Sequence, residues 1–461
     1  MTELKKIDPG TSSISDDPVI IPVEAYISAD YARQEARKLW RRVWQVACRE
    51  EEIPEIGDFY TYDIAEESII IARVGPGAAD IAAYHNVCPH RGRRLTSGCG
   101  KTKRFFCRYH GWQWNLDGRN HKVVDREDWG GVLSEEFLRL PQVKLARWAG
   151  FVFVNLDPNS EPLESFLGNV PYWLDPFEIG KMRYKWRQWL HFPCNWKVAL
   201  EAFIEGYHVG TSHPQILRWS DGHTWSRAEG LHSCFGNAAR MTKIWGEQAE
   251  LTFPPRSGRD ARQEITAFME NMNETVGLGT LTTQTFIDAA RKLKDVLPEN
   301  VSGADASKTM MELARQMDAA RGVEWPTIDP VHYAQSGTDW HIFPNTIFLH
   351  GMTYLLGYRA RPHGIDPDSC IFEVYALERF PEGQEPKPEN LHQPDISKES
   401  WQLVLCQDFQ NMPEVQKGMK SSAFRGCVPS PLQEKPVINF HHNLAEFMGS
   451  GEPQPFPKTI I

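Results

Sequence analysis

Two short stretches place a cysteine and a histidine almost side by side: Cys88-Pro-His90 and Cys107-Arg-Tyr-His110, with sixteen residues between His90 and Cys107. Two thiolates and two imidazoles at adjacent hairpin tips can converge on one centre. Such a set could hold a structural zinc, or a [2Fe–2S] centre in which one iron takes both cysteines and the other both histidines. Zinc sites usually draw their histidines from one helix and pair their cysteines separately. One Cys and one His from each knuckle suits two irons side by side, so the spacing favours the cluster. Gly92, Gly98, Gly100 and Gly111 let the backbone turn closely around the sulfides, and amides there can hydrogen-bond to them. Replacing two thiolates by imidazoles removes negative charge and raises the potential to roughly −150 to +300 mV. A centre of this kind relays electrons and by itself transforms no substrate. Cys99, between the knuckles, reads as a packing or loop thiol, and Trp112 as a packing residue.

A second constellation runs Glu201-Ala-Phe-Ile-Glu205-Gly-Tyr-His208-Val-Gly-Thr-Ser-His213. The spacing predicts one helix over 196–209, with Glu201, Glu205 and His208 on a single face. His213 then lies about 140° off that face, so a widening or helix end near Gly210 is needed to bring the two rings together. Two imidazoles and one carboxylate on adjacent corners, with the remaining positions open, suit an oxygen-activating Fe(II). Zinc competes for the same donors but cannot use electrons from a neighbouring cluster. The carboxylate is either Glu205 or a distant residue such as Asp408, an acid in largely apolar company within Leu405-Cys-Gln-Asp408-Phe. Glu201 reads as a supporting carboxylate and Tyr207 as packing.

The elements that must position these residues change character along the chain. The first twenty residues, rich in Ser, Asp, Pro and Gly, read as a mobile tail. Helical spacing follows from Tyr31 to Cys48, with Ala32, Ala36, Leu39, Trp40, Val43 and Trp44 on one stripe. Phe59–Tyr62, Ser68–Val74, Phe105–Cys107 and Phe151–Val154 read as short strands of a β domain over 43–157, with 1–42 belonging to the second domain. That domain, 158–461, has strand patterns at Thr346–Arg361 and Ile371–Leu377 and a helix-rich insert over about 236–335. The insert includes a stripe of Met310, Leu313, Ala314, Met317 and Ala320 that Gly322 stops. The class is α+β. With 50 basic and 60 acidic residues the net charge is −10, which argues against nucleic acid. No apolar run approaches the roughly 20 residues of a membrane span, and the N-terminus has no apolar signal core, so a cytoplasmic location without a membrane partner is expected. Nine cysteines, an odd count over a long chain, do not read as a disulfide framework.

The two knuckles, then Asn195-Trp-Lys197, Glu205-x-x-His208-x4-His213 and His341-Ile-Phe-Pro-Asn345, resemble the large (α) subunits of Rieske non-haem iron ring-hydroxylating oxygenases over about residues 20–420. The resemblance implies a Rieske β domain and a catalytic domain whose antiparallel sheet is covered by helices. It implies cluster ligands Cys88, His90, Cys107 and His110, and iron ligands His208, His213 and Asp408, the last within Gln-Asp-x-x-Asn-Met-x-x-Val-Gln-x-Gly. Glu205 matches the acid that bridges the iron of one subunit to a cluster histidine, here His110, of the next. The implied protein is a terminal oxygenase in a head-to-tail homotrimer, with or without a small β subunit. It takes NAD(P)H electrons through a separate ferredoxin or reductase and dihydroxylates, monohydroxylates or dealkylates an aromatic substrate. One departure stands out: most aromatic-ring members have Asp where this chain has Glu205, and Glu is similar to the branch acting on quaternary amines such as choline and carnitine. The amine reading is therefore the alternative. An electron-transfer or redox-sensing Rieske protein, and a zinc-stapled binding protein, are readings from other classes.

Overall fold

The computed structural model describes residues 14–216, 223–237, 259–276 and 279–457. Most of the predicted tail (1–13) and the insert's 238–258 lie outside the described residues. The chain divides into two compact units, one of Ala32–Phe166 with Pro362–Ile365, the other of Met1–Tyr31, Leu167–Arg361 and Asp366–Ile461.

In the smaller unit, alternating or wholly apolar runs bounded by Gly, Pro and Asp become short strands. Seven of them form a sheet in the order Gln45–Arg49, Phe151–Asn155, Gln142–Trp148, Ile81–His85, Glu67–Arg73, Asp58–Ile64 and Cys99–Lys101. A second sheet of Arg104–Phe106, Gln113–Asn115 and Asn120–Lys122 carries one knuckle. Phe59, Tyr84, Phe105, Trp112 and Trp114 fill a core that includes Cys88 and Cys107 themselves. The helix predicted over Tyr31–Cys48 is shorter than its stripe. It spans Ala29–Lys38, and Gln45–Arg49 is a strand. Pairing with Phe151–Asn155 outweighs helical periodicity there, and the Gln45 side chain donates to the carbonyl of Trp40 at 2.8 Å, closing the turn. Leu39, Trp40, Val43 and Trp44 are buried all the same, because burial of apolar area does not require the helix to continue.

The larger unit is built on an eight-stranded sheet: Thr224–Glu229, His232–Asn237, Asp339–Ile342, Thr346–His350, Tyr354–Pro362, Cys370–Glu378, Arg183–Phe192 and Asn390–His392. The antiparallel sheet expected here is mixed at one edge, where Asn390–His392 runs parallel to Arg183–Phe192. The run Thr346–Arg361 is a hairpin rather than one strand. It bends at Gly351, where a Cβ would sit 2.4 Å from the Tyr354 ring. In the insert, Phe286, Ala289 and Leu293 of one helix pack on Met310 and Ala314 of the next. Ala320, placed on that stripe by its spacing, is exposed. The buried position goes to Asp318, which accepts from Thr285 at 2.7 Å and Trp325 at 2.6 Å. Gly322 follows the helix with φ +85°, as the stop requires. No helix among the described residues is long and apolar enough to cross a membrane.

One buried charge cluster ties neighbouring strands. Glu373 faces Arg359 at 2.5 Å and Arg361 at 3.1 Å. Burial pushes its carboxyl up, but the two guanidinium groups outweigh that and hold it at about 2. Because the folded value lies below the unfolded one, the cluster stabilises the fold above the ordinary carboxylate range. That stabilisation is lost as pH falls from there towards about 2. Glu373→Gln deprives two buried cations of their carboxylate and is expected to cost roughly 3–5 kcal/mol. Denaturant unfolding at neutral pH measures the loss, and the variant's stability should fall less steeply than wild type between the two pH limits.

Candidate metal centres

The two knuckles fold as copies of one another. In each, the amide of a glycine four residues beyond the cysteine donates to the cysteine carbonyl at 2.9 Å: Gly92 to Cys88, and Gly111 to Cys107. The cysteine amide in turn donates to the carbonyl five residues on, Arg93 or Trp112, again at 2.9 Å. Both glycines have positive φ, +75° and +76°, a conformation that costs glycine little. Each repeated turn buries its thiol and leaves its histidine beside the other loop's, with the rings of His90 and His110 4.6 Å apart. Trp112, predicted to pack, lies flat on His90 at 4.8 Å and 8°. Cys99 is exposed on an edge strand rather than packed.

The donor set fits a [2Fe–2S] centre on two counts. His90 Nδ1 and His110 Nδ1 are buried with no hydrogen-bond partner among the described residues, as two nitrogens awaiting a ligand would be. Cys88 and Cys107 sit within hydrogen-bond reach of each other, and burial foremost pushes the Cys88 thiol up to about 11. A metal that takes a thiolate relieves that cost. Around the tips, Arg91, Arg93, Arg94, Arg108 and Tyr109 are exposed.

The second site departs from the predicted helix. The Trp196–Glu201 helix, capped by the Asn195 side chain on the amide of Lys197 at 3.0 Å, ends at Glu201. Glu201, Glu205 and His208 therefore do not share a helical face. The break has a local cause: the Glu205 carboxylate turns back to accept from the amides of Tyr207 and His208, competing with the helical ladder. Gly206 lets that turn settle on the sheet, since a Cβ there would meet Thr224 Cγ2 at 2.6 Å. A single turn, Val209–Ser212, then carries His208 and His213 at its two ends with ring centroids 5.1 Å apart. Tyr207, expected to pack, is 58% exposed.

The third donor arrives from the Lys398–Met419 helix. Asp408, 4% exposed, puts Oδ1 2.9 Å from His213 Nε2 and 3.6 Å from His208 Nε2. One atom from each of these three residues lies within 4.8 Å of the others, a set that could hold a metal ion. Their far nitrogens are also tied: His208 Nδ1 to Glu205 Oε1 at 2.6 Å and His213 Nδ1 to Gln407 Oε1 at 2.9 Å. Hydrogen bonds of this kind fix the tautomer and aim Nε2 at the metal position. Burial pushes the His208 imidazole down, but the bond to Glu205 and the charges of Glu205 and Asp408 outweigh it and hold it above its ordinary value. Of the two carboxylates open to sequence reasoning, Asp408 faces both Nε2 atoms, whereas Glu205 stands behind His208. Sequence reasoning misses Gln407, whose position next to Asp408 is the one available signal. Glu201 serves the scaffold, accepting from Tyr26 at 3.0 Å and lying 2.8 Å from His441. Beside Glu205, His208 and Asp408 opens a cavity of ≈ 400 Å³, which Glu201 and Glu434 also line. Burial first, then the charges of Glu205 and Glu201, push Glu434 up to about 7.

Residues 179–450 match the family model described as ring hydroxylating alpha subunit (catalytic domain), and residues 43–129 match the Rieske [2Fe–2S] domain. The chain belongs to this family. It is a Rieske oxygenase, an oxidoreductase that works with a [2Fe–2S] cluster and a mononuclear iron and receives NAD(P)H electrons from partner proteins. This Rieske oxygenase is 28% identical over 307 residues to the carnitine monooxygenase oxygenase subunit of Escherichia coli, spanning 64% of this chain and 79% of that one. It is 35% identical over 192 residues to the anthranilate 1,2-dioxygenase large subunit of Acinetobacter baylyi, spanning 39% of each. Among solved structures, a quaternary ammonium Rieske monooxygenase in complex with L-carnitine shares the fold, with a TM-score of 0.61 at 18% identity over 96% of this chain and 100% of that one.

Asp408→Ala is expected to lower iron from about three to about two per chain. The visible and EPR signatures of the cluster should stay unchanged. Metal analysis and EPR of the same sample check it, and full occupancy would move the third ligand elsewhere.

Proposed function

We propose that this chain is the terminal oxygenase of a multicomponent system that monooxygenates a small amine, inserting one oxygen atom into a C–H bond beside a positively charged nitrogen. The observation that carries the reading is Glu205. A glutamate at this position resembles the branch acting on quaternary amines, and here its longer side chain reaches His208 Nδ1 at 2.6 Å while its second oxygen holds the turn. The carnitine monooxygenase subunit, matched over 79% of its length, supports the same direction. One oxygen atom of O2 enters the C–H bond, and the other leaves as water with two protons and two electrons from NAD(P)H. When bound, the cluster would supply single electrons and the iron, held by His208, His213 and Asp408, would activate dioxygen. Glu205 and Gln407 orient the two imidazoles.

The assembly we propose is a head-to-tail homotrimer, in which a second copy offers its cluster tip to the cavity beside Glu205. Charge complementarity supports it: exposed Arg91, Arg93, Arg94 and Arg108 surround the knuckles, and Glu201, Glu205 and Glu434 line the cavity. The donor is a ferredoxin or a flavin reductase. Aromatic dihydroxylation is the second reading, favoured by the 35% identity to the anthranilate dioxygenase subunit.

A single turnover of the reduced, iron-loaded protein under ¹⁸O2 tests the choice, against quaternary amines and aromatic acids. One labelled oxygen, or loss of a methyl group from an amine, is expected. Two labelled oxygens on one ring would establish the aromatic reading instead. Glu205→Ala should keep both metal centres and a reducible cluster yet lower coupled turnover by about 10–100-fold or more. Wild-type turnover in that variant would remove Glu205 from the electron path.

A further inference from the structure

The Glu205–Gly206 turn lies on one face of the eight-stranded sheet, so close that a Cβ on Gly206 would sit 2.6 Å from Thr224 and 3.5 Å from Phe235. On that face the side-chain atoms buried with no hydrogen-bond partner among the described residues include Thr224 Oγ1, under the turn itself, and a group of three on the next strands: Ser233 Oγ, Asp339 Oδ1 and His341 Nδ1. Strand register makes them neighbours. Ser233 pairs with His341, and Phe235 pairs with Asp339, so all four side chains project to the same side. Ile347, opposite His341, is paired on its other side with Tyr358, which continues the row. Tyr358 stacks on Phe203 at 4.3 Å, two residues before Glu205, and Phe372 links it to Phe409, next to Asp408.

More than nine-tenths of buried polar groups in folded proteins find a partner. Three orphans on adjacent strands, beneath the turn that carries His208, call for a partner that the chain does not supply. The three differ in chemistry. Ser233 and His341 offer neutral hydrogen-bonding atoms, since burial above all pushes the His341 imidazole down to about 3. Asp339 is an acid, 3% exposed, with no hydrogen bond to its carboxyl among the described residues. Burial and, after it, the Glu205 charge push it well above the ordinary carboxylate range. A buried carboxyl in such a place stays protonated until a cation arrives to pair with it. The Tyr358 phenol feels both Asp339 and Asp408, which puts this acid in electrostatic reach of the metal-site residues.

We infer that Ser233, Asp339 and His341 form the floor on which this Rieske oxygenase holds its substrate, and that Asp339 is the residue that selects a positively charged nitrogen. The inference rests on the amine reading above and adds to it the group that recognises the charge. A neutral substrate of the same shape gains nothing from Asp339, so charge, rather than size, is what the floor discriminates.

The test uses the trimethylammonium compounds choline, L-carnitine and glycine betaine as probes. The neutral isostere of choline, 3,3-dimethyl-1-butanol, is the control. Binding to the iron-loaded holoenzyme is measured by anaerobic calorimetry. Wild type is expected to bind at least one cation about tenfold or more tighter than the isostere, and Asp339→Asn to erase that preference while leaving isostere affinity unchanged. Asp339→Ser is a second charge-free variant should the first melt early, and Asp339→Glu, which keeps the charge, should retain part of the preference. A charge-free variant that still prefers the cation overturns the role of Asp339 while the amine reading stands. A wild type that shows no preference for any cation overturns the amine reading and the inference together.

Discussion

A carboxylate buried against two imidazoles is the constraint around which the larger unit is arranged. Asp408 has almost no contact with solvent, and an acid so placed is costly unless positive charge or hydrogen-bond donors meet it. His213 and His208 meet it through Nε2, and their own Nδ1 atoms are held by Gln407 and Glu205. The chain Glu205–His208–Asp408–His213–Gln407 is therefore continuous, each group held by the next, and Gln407 is tied in turn to Gln215. It is held from two directions, by the turn after the Trp196–Glu201 helix and by the Lys398–Met419 helix. A cation bound among the three Nε2 and Oδ1 atoms would replace a proton as the balancing charge and leave the outer hydrogen bonds intact.

Keeping those two directions in register requires contacts from far along the chain. The Asn195 amide donates to Gln416 Oε1 at 3.0 Å, and side-chain amides of both residues donate to the Tyr26 carbonyl. The Tyr26 hydroxyl in turn meets Glu201 and His441. An N-terminal turn, the start of the Trp196–Glu201 helix, the end of the Lys398–Met419 helix and the Lys435–Met448 helix that carries His441 are thus joined by one buried polar network. Such networks are favourable when every member is satisfied and costly when one is missing, which makes the site's position cooperative. The smaller unit solves its problem differently, by repeating one five-residue turn twice so that two thiols and two imidazoles meet at its tips.

Local information was enough where donors are close in sequence. Cys88, His90, Cys107 and His110 lie in two turns whose glycines and spacing already specify the geometry, and the strands behind them have simple alternation. His208 and His213 sit five residues apart, and one short turn brings them together. Apolar periodicity found the buried faces of Leu39, Trp40, Met310 and Ala314 even where it misjudged the element. It failed where a side chain competed with the backbone or a strand partner competed with a helix. Glu205 ended the predicted 196–209 helix by bonding to amides ahead of it, and the Phe151–Asn155 strand claimed Gln45–Arg49. It also put Ala320 inside and overlooked Asp318, because a buried acid is legible only with its partners Thr285, Arg321 and Trp325 in place.

By itself the sequence determined the kind of chemistry: residue types and short spacings are local properties, and they are what a cluster knuckle or a histidine pair consists of. Tertiary structure alone decided which amide orients His213 and which acid is buried on the sheet face under the Glu205–Gly206 turn. By residue type and local spacing Asp408 and Glu205 are equivalent, and the roles that the family resemblance implied for them take physical form only when helix packing puts one before the Nε2 atoms and the other behind Nδ1. Ser233, Asp339 and His341 become neighbours only through the register of two strands separated by the whole helical insert. Burial and charge proximity, which set what an ionisable group does, are properties of the folded neighbourhood and have no counterpart in the order of residues.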